Sequence, residues 1–558
     1  MNKSPAARTK SHGGDKSEVN SPSNSSPLEG EVRWGGEVTI FCLICLFTLF
    51  LTTPVTAGVW RESISGDLEF RAYYDRITGN EDLSYKTDGA NYLTDLYFYF
   101  QPSREETNGI HYRGMFYLQG TDDPQYQTRG DNWRVQNVYL TATSPGEWEL
   151  TGGHFSSRYT QYTMSSTLLG LDGWLQATDN FRLKTFAGRQ RRARSNEQYA
   201  RYAGGARGEL EPFENHELGL NYIHTHDHTG SLGSDELPDN GDTVDNTVYS
   251  LDYEGSFYDR RLRLDGEIAA SEWEEDSDTE YDNELARRLR GRVRPFTGTQ
   301  FTARYEKVDP DFETEQGFAS SDRRRREFIF DQRLTDRWDL NAEYSNWENI
   351  DSDVDQRDVT NWLVFTSYQS EIDYFGTQQW DLSFERDKDS GDNEADEKVW
   401  EFGLDNLFTP AHRVNIRYFR EEEEDEEDNE TDISILRLGY SGDFQPYELP
   451  LNYDLSTEYR EDDIEDGTDR RWRLENDFTV QRTDDETFSF YHHYQTDKDA
   501  EYDDIVRHSY GADYTYVLCP EFGNRITLGY EETDTTDKED SDRDYREQTF
   551  ELNVEASF

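Results

Sequence analysis

From Ser65 to the C-terminal Phe558 the chain repeats one unit: 9 to 13 residues of alternating apolar and polar side chains, then a polar break. The last run shows the pattern. Phe550, Leu552, Val554, Ala556 and Phe558 alternate with Thr549, Glu551, Asn553, Glu555 and Ser557. Side chains of an extended chain point to opposite faces with a period of two, so the two sets line opposite faces of a strand. Leu262, Leu264, Ile268 and Ala270 alternate in the same way with Arg261, Arg263, Asp265 and Glu267, and Trp472, Leu474, Phe478 and Val480 with Arg471, Arg473, Glu475 and Asp477. One such strand also fits a soluble sandwich. A long succession does not, because the inner faces are charged and a second sheet would have to pack on them.

The composition supports a strand-built wall with water on one side. Charged residues make up 31% and the net charge is -60, values that alone would suggest disorder, yet 14% of the residues are aromatic, whereas disordered acidic segments are poor in aromatics. An acidic balance of this size repels phosphate backbones and excludes nucleic acid as a partner. Breaks alternate between short turns, such as Ser144-Pro145-Gly146, Thr335-Asp336-Arg337 and Thr409-Pro410-Ala411, and longer polar stretches at 226–245, 273–284, 307–324 and 386–397. Short turns on one side and longer loops on the other are the asymmetry of membrane barrels. The expected fold is all-β: a single transmembrane antiparallel up-and-down β-barrel of about 26 strands.

One apolar run, Val38 to Thr53, precedes the strands and closes with Pro54-Val55-Thr56-Ala57. Its length fits the apolar core of a signal peptide, with small residues at the cleavage positions. Residues 1–57 are therefore read as leader and signal peptide, with 1–37 an over-extended start, and 58–558 as the barrel. Cys42 and Cys45 fall in the leader and only Cys519 in the barrel. Beyond residue 57 this rules out an intramolecular disulfide, a Cys-x-x-Cys-His haem attachment and a Cys-rich zinc site.

The terminal Phe558, with aromatic or aliphatic residues at every second position before it, resembles the last strand of bacterial outer-membrane porins. The resemblance implies an integral outer-membrane location, contact with lipid and lipopolysaccharide, a pore, and Phe550, Leu552, Val554, Ala556 and Phe558 as the signal read by the barrel assembly machinery. Strands ~4.8 Å apart and tilted ~40° make a 26-strand cylinder roughly 50 Å across. An open hole of that width would abolish the membrane's barrier, so the lumen is expected to be obstructed by the chain's own loops or by another protein. The segment 155–170, with Tyr159, Tyr162 and Met164, is the candidate constriction loop. By size the barrel also resembles those that sheathe a multihaem cytochrome in porin–cytochrome electron conduits. That resemblance implies a cytochrome in the lumen and electron transfer across the outer membrane; the alternative is a general diffusion porin for ions or small solutes.

Four local signals bear on the site. Arg288, Arg290, Arg292 and Arg294 lie opposite Leu289 and Val293 and face the lumen, where they select anions or orient solutes, or pair with Asp265 and Glu267 on the preceding strand. His224, His226 and His228 share one face, a spacing that suits Zn²⁺ or Cu²⁺ but also arises as an ordinary rim cluster. Acidic clusters such as Glu421–Glu427 either hold Ca²⁺ or Mg²⁺ at outer loops or form a solvated surface. The basic islands Arg189, Arg191, Arg192, Arg194 and Arg323–Arg326 suit lipopolysaccharide phosphates or surface ion pairs. No intrinsic cofactor is expected. Hydrolase, zinc-protease and phosphate-loop motifs are missing from the sequence, so it is read as a non-enzyme.

Overall fold

The computed structural model describes residues 64–558 apart from positions 81–82, 85, 87, 103–108, 124–131, 192–198, 232–242, 276–279, 352–356, 391–393, 426–428, 465–466, 499–503 and 539. The leader 1–57, Arg192, Arg194, Glu426 and Glu427 lie outside the described residues. The chain forms one antiparallel sheet of 26 strands, β1 (Ile64–Gly79) to β26 (Tyr545–Ser557), each paired with its neighbours in sequence. The sheet closes on itself. β1 and β26 pair antiparallel from Asp67↔Ser557 to Gly79↔Tyr545, so no edge strand is left at the seam. An even strand count puts the start of β1 and the end of β26 on the side of the short turns 145–147, 336–337 and 410–411.

Alternation sorts the two faces as period-two geometry requires. Leu220, Leu251, Ile268 and Leu289 on four successive strands are 66%, 54%, 59% and 57% exposed and point outward. In water such a band would be costly; against lipid tails it is the stable arrangement. Aromatic pairs recur along the outer face, including Tyr222 with Tyr249 and Tyr344 with Trp362.

Two expectations need correction. The stretches 273–284 and 386–397 are largely strand: β11 (Leu262–Glu275) and β12 (Glu280–Val293) leave only 276–279 between them, and β17 (Gly376–Asp389) and β18 (Ala395–Thr409) leave 390–394. Glu421–Glu424 likewise belong to β19 (His412–Glu424), not to a loop. Where the wall rises beyond the lipid, both faces meet water, so the apolar half of the alternation vanishes while the ladder continues. Cross-strand ion pairs there include Arg386–Asp396 and Arg420–Asp432, each 2.6 Å. Strand lengths accordingly run from 10 residues in β13 (Thr299–Val308) to 17 in β22 (Gly467–Thr483). The second correction concerns 307–324, read as an outer loop: residues 309–322 contact the inner wall.

Candidate functional site: a tongue folded onto the inner wall

One hairpin leaves the wall. β5 (Trp148–Arg158) pairs with β4 (Trp133–Ser144) only as far as Gly153, and β6 (Ser165–Thr178) pairs with β7 (Phe181–Arg191) only as far as Leu169. The two strands stay paired with each other up to Arg158↔Ser165. The free end of the hairpin forms a tongue. Glycines mark where it departs: Gly153 has φ of 109° and a β-carbon there would lie 2.8 Å from Tyr139 Cα, while one on Gly170 would lie 2.5 Å from Gly188 Cα. Only glycine takes that φ without strain and lets two backbones approach so closely. At the same point the Val138 N–H, having lost its ladder partner, donates to His154 Nδ1 at 3.1 Å.

The tongue lies across the inner wall. Phe155, Met164 and Leu168 pack on Phe186 of β7, Ala203 of β8 (Ala200–Phe213) and Ile223 of β9 (His216–His228). Farther along, Tyr162 is buried among Val248 of β10 (Val244–Phe257), Ala269 of β11, Ala286 of β12, Val308 of β13 and Phe312 of the 309–322 segment. The receiving surface is built by register. Ile223 pairs directly with Val248, and Ala269 with Ala286, which pairs in turn with Val308. Seven successive strands thus carry apolar side chains at lumen positions, most of them small enough for the tongue to lie close. Burying each large side chain of the tongue stabilises the docked state by roughly 1.5–3 kcal/mol.

Polar contacts latch the tip. Tyr162 Oη donates to Glu306 Oε1 at 2.7 Å, Gln161 Nε2 donates to the same oxygen at 2.8 Å, and the Thr160 hydroxyl donates to Glu267. Arg288 bridges the parts, lying 3.3 Å from Glu267 and donating to Gln161 Oε1 at 3.2 Å. Burial and the neighbouring Glu306 carboxylate push the Tyr162 phenol above its ordinary range, so it remains a donor at neutral pH. The 309–322 segment clamps the tongue from the other side: the Ser165 N–H donates to the Gln316 carbonyl and the Phe318 N–H to the Gln161 carbonyl, both at 2.7 Å. Gly317 passes so close to Tyr162 that a β-carbon would lie 2.5 Å from its carbonyl carbon.

The structure brings Tyr159, Tyr162 and Met164 together with Glu267 and Arg288 in this one site. Tyr159 packs edge-on against Phe186 at 5.5 Å. Arg290 and Arg292 occupy the wall directly beyond Arg288 on the short-turn side; Asp265 faces Arg290 in register, without an ion pair between them. His224, His226 and His228 lie elsewhere, on the outer side of β9. His224 stacks on His226 at 5.5 Å and His226 on Tyr202 at 6.0 Å, and no group of three His, Cys, Asp or Glu side chains among the described residues is placed to hold a metal. Arg323–Arg326 divide between faces: Arg323 stacks on Trp347 at 4.4 Å, while Arg324 pairs with Glu348 at 2.8 Å. Phe550, Leu552 and Val554 point outward on β26, and Ala556 is buried against the seam.

Sequence reasoning missed the receiving wall and the 309–322 clamp. A signal for the wall existed, since Ile223, Val248, Ala269, Ala286 and Val308 are apolar at positions where their strands otherwise present polar side chains to the lumen.

The profile of the S-layer protein SlpA β-barrel domain matches residues 175–345. Among solved structures, the E. coli P pilus tip assembly intermediate PapC-PapD-PapK-PapG gives a TM-score of 0.52 at 11% identity, covering 90% of this chain and 62% of that one. The present chain therefore spans less than two thirds of that relative's length. OccK5 (OpdH) and OccD3 (OpdP) of Pseudomonas aeruginosa give TM-scores of 0.29 and 0.28 at 12% and 10% identity, covering 90% of this chain and 100% and 93% of theirs. No curated protein sequence matches the chain. These are likenesses of β-barrel architecture.

Proposed function

We propose that this chain is an outer-membrane pore, a diffusion channel for ions and small solutes that narrows itself with its own tongue. The observation behind this reading is the docking of the 154–168 hairpin and the 309–322 segment on the inner wall from β7 to β13. A barrel roughly 50 Å across needs obstruction to remain a selective passage, and here covalently attached segments occupy the lumen side. The wall beyond them is hydrophilic and largely acidic: Glu385, Asp387, Glu397, Glu401 and Glu421 share the inner face of β17 to β19, opposite in orientation to Leu382 and Phe402. Such a surface concentrates cations, so the pore prefers them. Lipid and lipopolysaccharide surround it, the assembly machinery reads its last strand, and Ca²⁺ or Mg²⁺ gathers at its acidic upper rim. No enzymatic role belongs to this reading.

Reconstitution of the purified full-length chain into planar bilayers tests it. Steady single-channel currents with a cation-biased reversal potential are the expected result; a barrel that folds but passes no current overturns it.

A second reading keeps the wide barrel as a sheath for a multihaem cytochrome. What favours it is that the wall side chains in the two apolar clusters under the inward segments all belong to β7 through β13, none to the longer run of wall from β14 (Arg323–Thr335) to β26. Gentle purification from the native outer membrane and a visible spectrum distinguish the two. A haem band that stays with the barrel establishes the sheath; a colourless barrel removes it.

A further inference from the structure

The inner wall on the short-turn side of the tongue carries a charge arrangement that the fold alone does not require. Acidic residues outnumber basic ones, 117 to 57, yet Arg290 faces Arg304 directly across the β12–β13 ladder, and Arg292 faces Arg263 across β11–β12. Like charges directly opposite are destabilising. In two other facing pairs both arginines take a carboxylate: Arg417 holds Asp405 at 2.7 Å and its opposite Arg437 holds Glu458 at 2.5 Å. Arg460 holds Asp462 at 2.8 Å and its opposite Arg471 holds Asp497 at 2.6 Å. At the exceptional site Arg263 takes Glu254 and Arg304 takes Glu306. Arg290 and Arg292 hold no carboxylate among the described residues. Arg292 stands in the repulsive field of Arg263, Arg290 and Arg294, offset in part by Asp265, and its Nε is buried without a hydrogen-bond partner. Below them, at the short-turn mouth, a cavity of about 580 Å³ is lined by Arg261, Arg294 and Phe296, with Gln300 and Asp331 on its wall. Arg294 spends one donor on Gln300 Oε1 at 2.9 Å, and Gln300 donates to Asp331 at 3.1 Å.

We propose that Arg290 and Arg292, fed from the mouth by Arg261 and Arg294, form a binding site for the oxyanion group, phosphate or carboxylate, of a permeating solute. An oxyanion between the guanidiniums supplies a counter-charge in direct contact, which Asp265, opposite Arg290 without an ion pair, does not, and accepts their planar N–H forks. The cavity lies below it, at the short-turn mouth. The inference rests on the pore reading.

Isothermal titration of the full-length protein in detergent, with inorganic phosphate or succinate at constant ionic strength, tests it. Wild type is expected to show one saturable site for at least one anion, and which anion binds separates phosphate-bearing from carboxylate-bearing solutes. In Arg290→Gln/Arg292→Gln affinity should fall by at least about tenfold, and Arg290→Lys/Arg292→Lys, which keeps the charge without the fork, should lie between. Heat-dependent gel mobility verifies that each variant is folded. No saturable binding of either anion, or equal binding by wild type and the Gln variant, overturns the site. Channel currents from the same preparations separate the two claims: a conducting barrel that binds neither anion refutes the site and leaves the pore, whereas binding without conduction refutes the pore and leaves the site.

Discussion

Phe558 closes the barrel against Gly66. The two exchange backbone hydrogen bonds of 3.0 Å in both directions, and a β-carbon at residue 66 would lie 2.5 Å from the Phe558 ring. The ring also meets Phe98 edge-on at 6.0 Å, so one side chain links the last strand to the first two. A residue expected to act in assembly therefore also stands at the seam of the finished wall.

Gly66→Val should force that ring aside at a cost of about 1–3 kcal/mol, the usual range for overpacking. Heat-dependent gel mobility should show the barrel opening at a lower temperature. Gly291→Ala, where the new carbon would meet Leu264 at an ordinary 3.4 Å, should behave like wild type. Equal melting of all three would show that the seam yields freely.

Tyr162 anchors the tongue twice, by burial among five wall and clamp residues and by its bond to Glu306. Tyr162→Phe keeps the first and loses the second, a change of about 1.5–3 kcal/mol for a bond to a charged group. Tyr162→Ala loses both, about 3–5 kcal/mol by analogy with other buried aromatics. Single-channel conductance and its open-state noise should rise from wild type to Phe to Ala while barrel mobility on gels stays unchanged. Identical currents in all three would mean that the tongue does not limit flow.

Alkaline pH should release the tongue. Burial, with Glu306 beside Tyr162 and Asp172 near Tyr159, holds both phenols above their ordinary value. A raised pKa on a group that is neutral when protonated means docking is at full strength below the unfolded value, about pH 10, and weakens as pH rises beyond it. Conductance should stay flat from neutral pH to about pH 10 and then climb. Tyr162→Phe should blunt that climb; an unchanged climb would place the titrating group elsewhere.

Cation preference should reside in the acidic wall. Glu385→Gln/Glu401→Gln removes two carboxylates from the inner face of β17 and β18. The reversal potential across a KCl gradient should move toward zero, most clearly in dilute salt where screening is weakest. A shift of the same size in concentrated salt would argue against a field effect.

Sequence alone determined the strands, their faces and the closure. The period of two fixes which side chains of β11 or β26 meet lipid, because adjacent residues of an extended chain cannot share a face. An even series of such strands with short turns on one side brings the start of the first and the end of the last to the same side, where the closed sheet pairs Asp67 with Ser557. Polarity could not decide what lies beyond the lipid. Glu421–Glu424 read as loop because water wets both faces there, and only the ladder to Lys398 and Asp432 shows them to be strand. Nor could local pattern place Tyr162 over Ala269, Ala286 and Val308, or set Arg290 opposite Arg304. Those contacts join residues more than a hundred positions apart or depend on the register between strands, and register is a property of the closed sheet. An apolar residue facing a lumen is, taken singly, only an exception. Tertiary structure aligns seven of them into the surface on which the tongue rests.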